Sequence, residues 1–239
     1  MNKIKRFFAR NFIPFLRFKN IRFWFVKKRY SLLKKNMRFK KDGSNSIGEK
    51  TIEHNLSAFN SDAAFGCGER MGLLIYPVIA FYNYYTIDKS RKQVLIVGCR
   101  TEDDIYWMKS YGFTQTFGFD LFSYSPSVLI GDIHKTDFEE ERFDVVLIAW
   151  MISYSSDPET VIKECRRILK PGGLLGIGID HNPNQDYNNI KAPRVNTLNT
   201  SQELISLLNS TINHKVLFEY DHYNIKDNDH STTVISICK

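Results

Sequence analysis

The chain has 239 residues with 43% apolar residues, a net charge of +7 and 4 cysteines. This length suits one substantial core with an appendage, and the cysteines lie far apart without a CxxC pair or a histidine-spaced cluster, which argues against a zinc site and predicts reduced core residues of an intracellular protein. No uncharged stretch reaches the roughly 20 apolar residues of a membrane span, and the N-terminus lacks the apolar core and cleavage site of a secretion signal.

The basic residues are concentrated at the N-terminus. Residues 1–42 hold 15 of the 33 lysines and arginines and one of the 26 acids, whereas residues 43–239 carry a net charge of −7. Apolar and aromatic side chains alternate with these charges, which fits one or two basic amphipathic helices interrupted near Pro14. We therefore divide the chain into a helical basic N-terminal arm, 1–42, and an α/β domain, 43–239.

Three roles fit the composition of the arm. An interfacial helix on an anionic membrane combines aromatic rings with lysine and arginine. A basic aromatic arm can also bind RNA through phosphate neutralisation and base stacking. Alternatively, its apolar face packs on the domain as a lid or a dimer contact.

The remaining elements predict a doubly wound, Rossmann-like fold. The pattern predicts a seven-stranded, mostly parallel sheet with an antiparallel last strand, because apolar strands alternate with helices and parallel neighbours need right-handed crossovers. The expected strands are 93–98, 115–120, 128–131, 143–149, 174–180, 215–222 and 231–238, and the expected helices are 49–60, 69–85, 102–111, 157–169 and one beginning near 200.

The run QVLIVGCRTEDD, residues 93–104, predicts a short strand, a turn at Gly98 and a helix start. Glycine fits a sharp strand-to-helix turn at which a ligand lies against the main chain and leaves no room for a Cβ. The further glycines of a dinucleotide-binding loop are absent, and Glu102, Asp103 and Asp104 crowd the helix start. Because these carboxylates would repel a phosphate, we expect a nucleoside ligand without a pyrophosphate.

Acidic side chains stand at the ends of the next two predicted strands. Asp120 can accept hydrogen bonds from both ribose hydroxyls, as a carboxylate at this place does in nucleotide folds. Asp132 can either contact a ligand or simply begin a turn. In an open α/β sheet the ligand lies beyond the carboxyl ends of the strands. The residues expected at this edge are Gly98, Asp120, Asp132, Ala149 and His181.

The longest patterned segment covers residues 143–179. The apolar run 145–149 is typical of a strand covered on both faces. The sequence Ser156-Asp157-Pro158-Glu159 fits a capping box with proline in the first helical turn. The sequence KPGG at 170–173 predicts the end of that helix.

These four segments resemble the motifs of class I S-adenosylmethionine-dependent methyltransferases of the type 11 kind, over about residues 93–179. The resemblance implies S-adenosyl-L-methionine as the cofactor, with Asp132 as the acceptor of the adenine amino group. Arg100 either pairs with the cofactor's carboxylate or remains solvated beside the acidic helix start. The implied cofactor-binding residues are Gly98, Cys99, Arg100, Glu102, Asp120, Leu121, Asp132, Ile133 and Ala149; no metal site is expected.

The chain departs from the family pattern in two places. Ile96 and Arg100 stand where the family usually has an acidic residue and a second glycine. Ser153-Tyr154 replaces the Glu-His pair that many relatives carry after the fourth strand, so no catalytic histidine is expected there. His181 is the first candidate for a base, because it follows the fifth strand and a neutral imidazole can take a proton near physiological pH. Tyr154 and His134 are the further catalytic candidates.

The residues around Gly98 and 120–126 are similar to a subgroup of bacterial methyltransferases associated with surface-polysaccharide and glycolipid biosynthesis. This similarity implies a cytoplasmic enzyme that O-methylates a sugar or glycolipid acceptor, with peripheral contact to the inner face of the cell membrane through the arm. Two alternatives remain open. The chain can be a non-catalytic nucleoside-binding protein that keeps the fold, or an RNA methyltransferase that holds the polymer with its arm.

Overall fold

A seven-stranded sheet with helices on both faces forms the centre of the protein. The computed structural model describes residues 11–40, 52–53, 56, 70–181, 198–224 and 229–239. Most of the predicted helix 49–60 lies outside these residues.

The strands and helices follow one another in an alternating order after the arm. The strands are β1 (Arg38–Phe39), β2 (Gln93–Val97), β3 (Gln115–Asp120), β4 (Phe122–Ser123), β5 (Val128–Ile130), β6 (Phe143–Ile148), β7 (Leu169–His181), β8 (His214–Asn224) and β9 (Asp229–Cys238). The α-helices are α1 (Lys19–Leu33), α2 (Gly72–Tyr84), α3 (Asp103–Ser110), α4 (Pro158–Ile168) and α5 (Ser201–Thr211).

The main sheet has the strand order β5-β3-β2-β6-β7-β9-β8. Its strands run parallel from β5 to β7, and β9 is antiparallel to both β7 and β8. The predicted seven-stranded, mostly parallel sheet with an antiparallel last strand is therefore confirmed. Val97 is level with Phe119 on one side and with Ile148 on the other. This register brings the carboxyl ends of β3, β2 and β6 to one edge, where a ligand crevice is expected.

The central strand β6 divides the core into two layers. Its side chains alternate, so that Val145 and Leu147 pack in the cluster of α2 and α3, whereas Val146 and Ile148 pack in the cluster of α4 and α5. All four are completely buried. The apolar run 145–149 is thus explained by burial on both faces. Among the described residues, the cysteines Cys99, Cys165 and Cys238 are buried and free; Cys67 lies outside them.

The helix ends show which of the predicted capping patterns the structure contains. Thr200 and Glu203 form a capping box at the start of α5. At the start of α4 the cap is Asp157, whose side chain accepts the N–H of Thr160, so the predicted box beginning at Ser156 was wrong by one residue. The KPGG sequence lies inside β7 rather than before it, because Leu169 already pairs with Phe143 and the ladder continues past an irregularity. No helix in the described part of the chain is long and apolar enough to cross a bilayer.

The described part of the N-terminal arm packs on the domain. A 3-10 helix at Ile13–Arg17 precedes α1, and both contact α3. β1 forms a small antiparallel sheet with β4, in which Phe39 lies opposite Phe122. Leu16 and Val26 are buried. One or two helices interrupted near Pro14 were predicted, and Pro14 lies in the short 3-10 helix that precedes α1; the β1–β4 pair was not predicted.

The charges of α1 do not follow the simple amphipathic arrangement that the sequence suggested. Arg22 is buried with 1% of its surface exposed, whereas Trp24 and Leu32 are 59% and 73% exposed. The arginine turns inward because the acidic start of α3 lies beneath it. The outward face is consequently a mixture of apolar and lysine side chains.

Candidate functional site

Gly98 forms the turn between β2 and the loop before α3. Its φ of +74° lies in the left-handed region, and its N–H donates to the carbonyl of Phe119 at 2.9 Å. A Cβ at this position would lie 2.8 Å from the Cβ of Met151. Glycine is therefore required by both the backbone conformation and the side chain that crosses the turn.

Asp120 ties this turn to the neighbouring strand. Its Oδ2 accepts the N–H of Arg100 at 3.0 Å, and its Oδ1 accepts the N–H of Leu121 at 2.8 Å. Burial raises the pKa of the Asp120 carboxyl, while these backbone hydrogen bonds oppose the rise. The backbone N–H of Phe122 is a third such donor, and a carboxylate has about four acceptor positions, so the carboxylate keeps acceptor capacity for a ligand hydroxyl.

Asp132 lies beyond the next strand and is held from two directions. Its Oδ1 accepts the backbone N–H of His134 at 3.0 Å and lies 2.6 Å from Nδ1 of the same residue, while Lys40 Nζ lies 3.2 Å from Oδ2. The hydrogen bond from the His134 side chain outweighs burial and lowers the pKa of Asp132, with a further contribution from Lys40. The carboxyl therefore stays ionised and acts only as a hydrogen-bond acceptor.

The acidic start of α3 is covered by arginines of the arm. Arg29 donates to both oxygens of Glu102 at 2.7 and 2.8 Å, and the hydroxyl of Ser125 also donates to this carboxylate. Arg22 Nε lies 2.9 Å from Asp103. Sequence reasoning missed these ion pairs, although the charge contrast between arm and domain was their signal. Glu102 is completely buried and bound to groups of the protein.

The other predicted cofactor residues line the same edge in different ways. Cys99 is buried, and burial raises the pKa of its thiol. Ile133 is buried in the core beside Phe119. Leu121 presents its carbonyl to the N–H of Lys40 at 2.8 Å, and Ala149 donates its N–H to Val97 at 3.0 Å. The turn, the two acidic residues and the end of β6 are thus brought together as the sequence predicted.

A second polar group lies at the carboxyl ends of β6 and β7. Arg70 forms an ion pair with Asp180, which also accepts the hydroxyl of Ser231 at 2.8 Å. The guanidinium lies 4.9 Å from the centre of the Trp150 ring. Trp150 has a φ of +55°, and a Cβ added to Gly178 would lie 2.9 Å from its indole. A bulky residue in this conformation is strained, and such strain is concentrated at functional sites.

The described contacts do not join the three predicted catalytic residues, His134, Tyr154 and His181, into one cluster. His134 has both ring nitrogens engaged, because Nε2 lies 2.7 Å from the hydroxyl of Ser155. Tyr154 is half-buried in the turn Ile152–Tyr154. His181 ends β7 opposite His230, and its side chain lies outside the described residues. The parts of the chain that the structure describes contain no group of three His, Cys, Asp or Glu residues that could hold a metal ion.

Comparison with protein families and curated proteins gives partial matches. Residues 63–177 match the model of a methyltransferase domain. Ribosomal RNA-processing protein 8 of Arabidopsis thaliana is 33% identical over 102 residues, which cover 41% of this chain and 33% of that protein. Demethylmenaquinone methyltransferase of Thermotoga maritima is 39% identical over 49 residues, covering 20% of this chain and 21% of that protein. The chain thus spans a third or less of these curated relatives.

A solved structure matches over a larger share of the chain. The 1,6-didemethyltoxoflavin-N1-methyltransferase of Burkholderia thailandensis, solved with 1,6-didemethyltoxoflavin and S-adenosylhomocysteine, superposes with a TM-score of 0.57 at 14% identity. The superposition covers 85% of this chain and 95% of that chain. At this identity the likeness establishes a shared fold.

Proposed function

We propose that this chain, whose residues 63–177 match a methyltransferase domain, is a class I S-adenosylmethionine-dependent methyltransferase that transfers the methyl group of S-adenosyl-L-methionine to a hydroxyl of a sugar or glycolipid acceptor. One observation carries the proposal. Gly98, Asp120 and Asp132 meet at one edge of the sheet, and the partly exposed Arg70–Asp180 pair lies at the ends of the next strands. The first group suits a nucleoside, and the second suits a polar acceptor.

We assign cofactor binding to the edge formed by β2, β3, β5 and β6. Asp120 accepts the ribose hydroxyls and Asp132 accepts the adenine amino group, because both are held ready as hydrogen-bond acceptors. The Arg100 side chain pairs with the cofactor's carboxylate. Glu102 has an indirect role, since its carboxylate is already bound by Arg29. The surrounding walls come from Gly98, Cys99, Leu121, Ile133 and Ala149.

Catalysis by this chain rests mainly on positioning. The bound cofactor supplies an activated methyl group on a sulfonium. The protein aligns the acceptor hydroxyl with that group, and such orientation can contribute about 7–11 kcal/mol. His181, at the end of β7, is the first candidate to take the hydroxyl proton, and Tyr154 is the second. His134 is a weaker base because both of its ring nitrogens already have partners.

The Arg70–Asp180 pair is the proposed contact for the acceptor. Its side chains are 41% and 27% exposed, so a ligand can reach both. Guanidinium N–H groups only donate and carboxylate oxygens only accept, whereas each sugar hydroxyl does both. Adjacent hydroxyls of a sugar therefore match this pair. The Arg70 guanidinium also makes a cation–π contact with the ring of Trp150.

The outer face of the arm supports a location at the inner face of the cell membrane. Phe15, Phe18, Trp24 and Leu32 are exposed large apolar side chains. They stand among the exposed lysines Lys27, Lys28, Lys34 and Lys35. Aromatic rings enter the interfacial region of a bilayer, and each lysine near an anionic surface adds about 1 kcal/mol. This composition suits peripheral binding to anionic lipid.

RNA methylation is the second candidate function. It is favoured by the match to a protein named for ribosomal RNA processing. Arg22 and Arg29, however, are engaged in ion pairs with α3 and are not presented to a phosphate backbone. The lost second glycine at Arg100 and the missing Glu-His pair at Ser153-Tyr154 keep a third possibility, a nucleoside-binding protein without transfer activity.

A transfer assay separates these functions. The full chain is incubated with methyl-labelled S-adenosylmethionine and either a bacterial glycolipid extract or total RNA. We expect label in the glycolipid fraction, and much less label when Asp120→Asn replaces the native chain at a limiting concentration of S-adenosylmethionine. Label in RNA alone would favour the second candidate. S-adenosylhomocysteine binding without any transfer would favour the non-catalytic one.

The membrane proposal has its own test. The full chain should sediment with vesicles containing phosphatidylglycerol and not with phosphatidylcholine vesicles. The double variant Trp24→Ser/Leu32→Ser should lose this binding. Leu217→Ser, which changes an apolar side chain that is 40% exposed on β8, should keep it. Equal sedimentation of the native chain with both lipids would exclude an electrostatic membrane contact.

A further inference from the structure

We propose that Lys40 and His134 orient Asp132 from opposite sides, so that the N-terminal arm sets the base specificity of the cofactor pocket. Both are positioning residues, since they act through the carboxylate of Asp132. The inference rests on the proposed role of Asp132 as the adenine acceptor. It extends the nucleoside site from the methyltransferase domain to a residue near the end of the arm.

Lys40 is held at the edge of the crevice by its own backbone. Its N–H donates to the carbonyl of Leu121 at 2.8 Å, directly after the proposed ribose acceptor. The preceding residues pair with β4, and the Arg38 guanidinium donates to the carbonyls of Ser125 and Val128. The arm is therefore fixed both after β3 and before β5. The first of these points lies next to Asp120, the proposed ribose acceptor.

The Asp132 carboxylate is fixed at both oxygens. His134 occupies one side of Oδ1, and the Lys40 ammonium lies 3.2 Å from Oδ2. The imidazole is itself held at Nε2 by Ser155, whose oxygen also accepts the N–H of Asp157 at 3.0 Å. A continuous polar chain thus runs from the arm to the start of α4. It prevents the carboxylate from rotating when a ligand binds.

The fixed carboxylate can distinguish adenine from hypoxanthine. Asp132 is 31% exposed, so the edge of a base can reach it. Its oxygens accept hydrogen bonds from the adenine amino group, whereas the carbonyl of hypoxanthine would place another acceptor against them. A site built around a hydrogen bond rejects an analogue that cannot form it. Without Lys40 the carboxylate is free to turn, and this discrimination weakens.

The test compares two ligands that differ only in the base. Calorimetry gives the Kd of S-adenosylhomocysteine and of S-inosylhomocysteine for the full chain and for Lys40→Met. The native chain should prefer the adenine form, and Lys40→Met should reduce this preference about tenfold. The loss should fall on S-adenosylhomocysteine alone. Lys40→Arg should restore the preference, and Lys35→Met, which changes an exposed arm lysine, should keep it.

A second variant and a reference variant separate positioning from general damage. His134→Asn should reduce the preference for adenine as Lys40→Met does. Asp120→Asn should weaken both ligands equally and leave their ratio unchanged. An unchanged ratio in both Lys40→Met and His134→Asn would overturn the inference while leaving the cofactor site intact. Failure of the native chain to bind S-adenosylhomocysteine would instead overturn the proposed function, and the inference with it.

Discussion

Arg22 makes the most deeply buried ionic contact between the arm and the domain among the described residues. It is completely buried apart from 1% of its surface, its Nε lies 2.9 Å from Asp103, and its guanidinium lies 4.2 Å from the centre of the Trp107 ring. Burial raises the pKa of Asp103, and the positive charge of Arg22 opposes that rise. Neither charged group would be stable in this position without the other.

Removing this arginine should destabilise the protein strongly. Arg22→Met leaves Asp103 buried without its partner, so we expect the free energy of unfolding in urea to fall by about 3–5 kcal/mol. Lys28→Met changes an exposed position of the same helix and should alter it by less than about 0.5 kcal/mol. Equal effects of the two substitutions would show that the buried ion pair does not hold the arm.

Asp120 should dominate cofactor affinity. Asp120→Asn removes the charge that strengthens hydrogen bonds to ribose hydroxyls, so calorimetric affinity for S-adenosylhomocysteine should fall about 10- to 100-fold. Asp137→Asn, an exposed carboxylate beyond the same edge, is the matched control and should bind as the native chain does. If the two variants bind equally well, Asp120 is not the ribose acceptor.

The local sequence pattern was sufficient to predict some residues of the candidate site but not others. Gly98 and Asp120 were recognisable because a strand, a glycine and a terminal acid follow one another within a short segment. Lys40 and Arg70 contact Asp132 and Asp180 across 92 and 110 residues of chain. No short-range pattern specifies such pairs. They follow from the packing of the arm and α2 against the sheet edge.

Helix α4 is anchored to the loop before β6 by Glu164. This carboxylate accepts the N–H and hydroxyl of Thr136 and forms an ion pair with Arg167 at 2.7 Å. Burial alone would raise the pKa of Glu164, but the hydrogen bonds from Arg167 and Thr136 outweigh burial and lower it to about 2. The loop that carries Asp132 and His134 is therefore tied to the helix.

The contribution of this anchor should depend on pH in a defined direction. A depressed carboxyl pKa stabilises the folded state above the unfolded value of about 4.3, and this stabilisation is lost as the pH falls towards the folded value. The stability difference between the native chain and Glu164→Gln should therefore be present near neutral pH and disappear in acid. Urea unfolding across this range measures it, with Glu139→Gln as an exposed control. A difference that stayed constant with pH would contradict this assignment.

Elements with a strong repeating pattern were predicted well. The strands and crossover helices from β2 to β7 follow from apolar periodicity and turn residues, and the same reasoning placed α5 and its cap. The β1–β4 pair was missed because two-residue strands carry no periodic signal. The inward position of Arg22 and Arg29 in α1 was not predicted, because these arginines face the acidic start of α3, and a helical pattern carries no information on such a tertiary contact.

Opposite charges join the two parts of the chain into one structure. The arm carries a large excess of positive charge and the remainder a net charge of −7. Arg22 and Arg29 of the arm form ion pairs with the carboxylates at the start of α3. Other basic side chains of the arm are exposed, together with aromatic side chains. A single segment can therefore support the proposed cofactor edge of the sheet and present the face that we propose binds lipid.

Competitive calorimetry with the full chain tests the adenosine pocket most directly. S-adenosylhomocysteine should bind with one-to-one stoichiometry, because Asp120 and Asp132 are the proposed acceptors for its ribose and adenine groups. NAD should give no heat of binding and should not displace it, because the start of α3 is buried beneath Arg22 and Arg29 of the arm and is not open to a pyrophosphate. Tight binding of NAD in competition with S-adenosylhomocysteine, or no binding of either, would contradict the account.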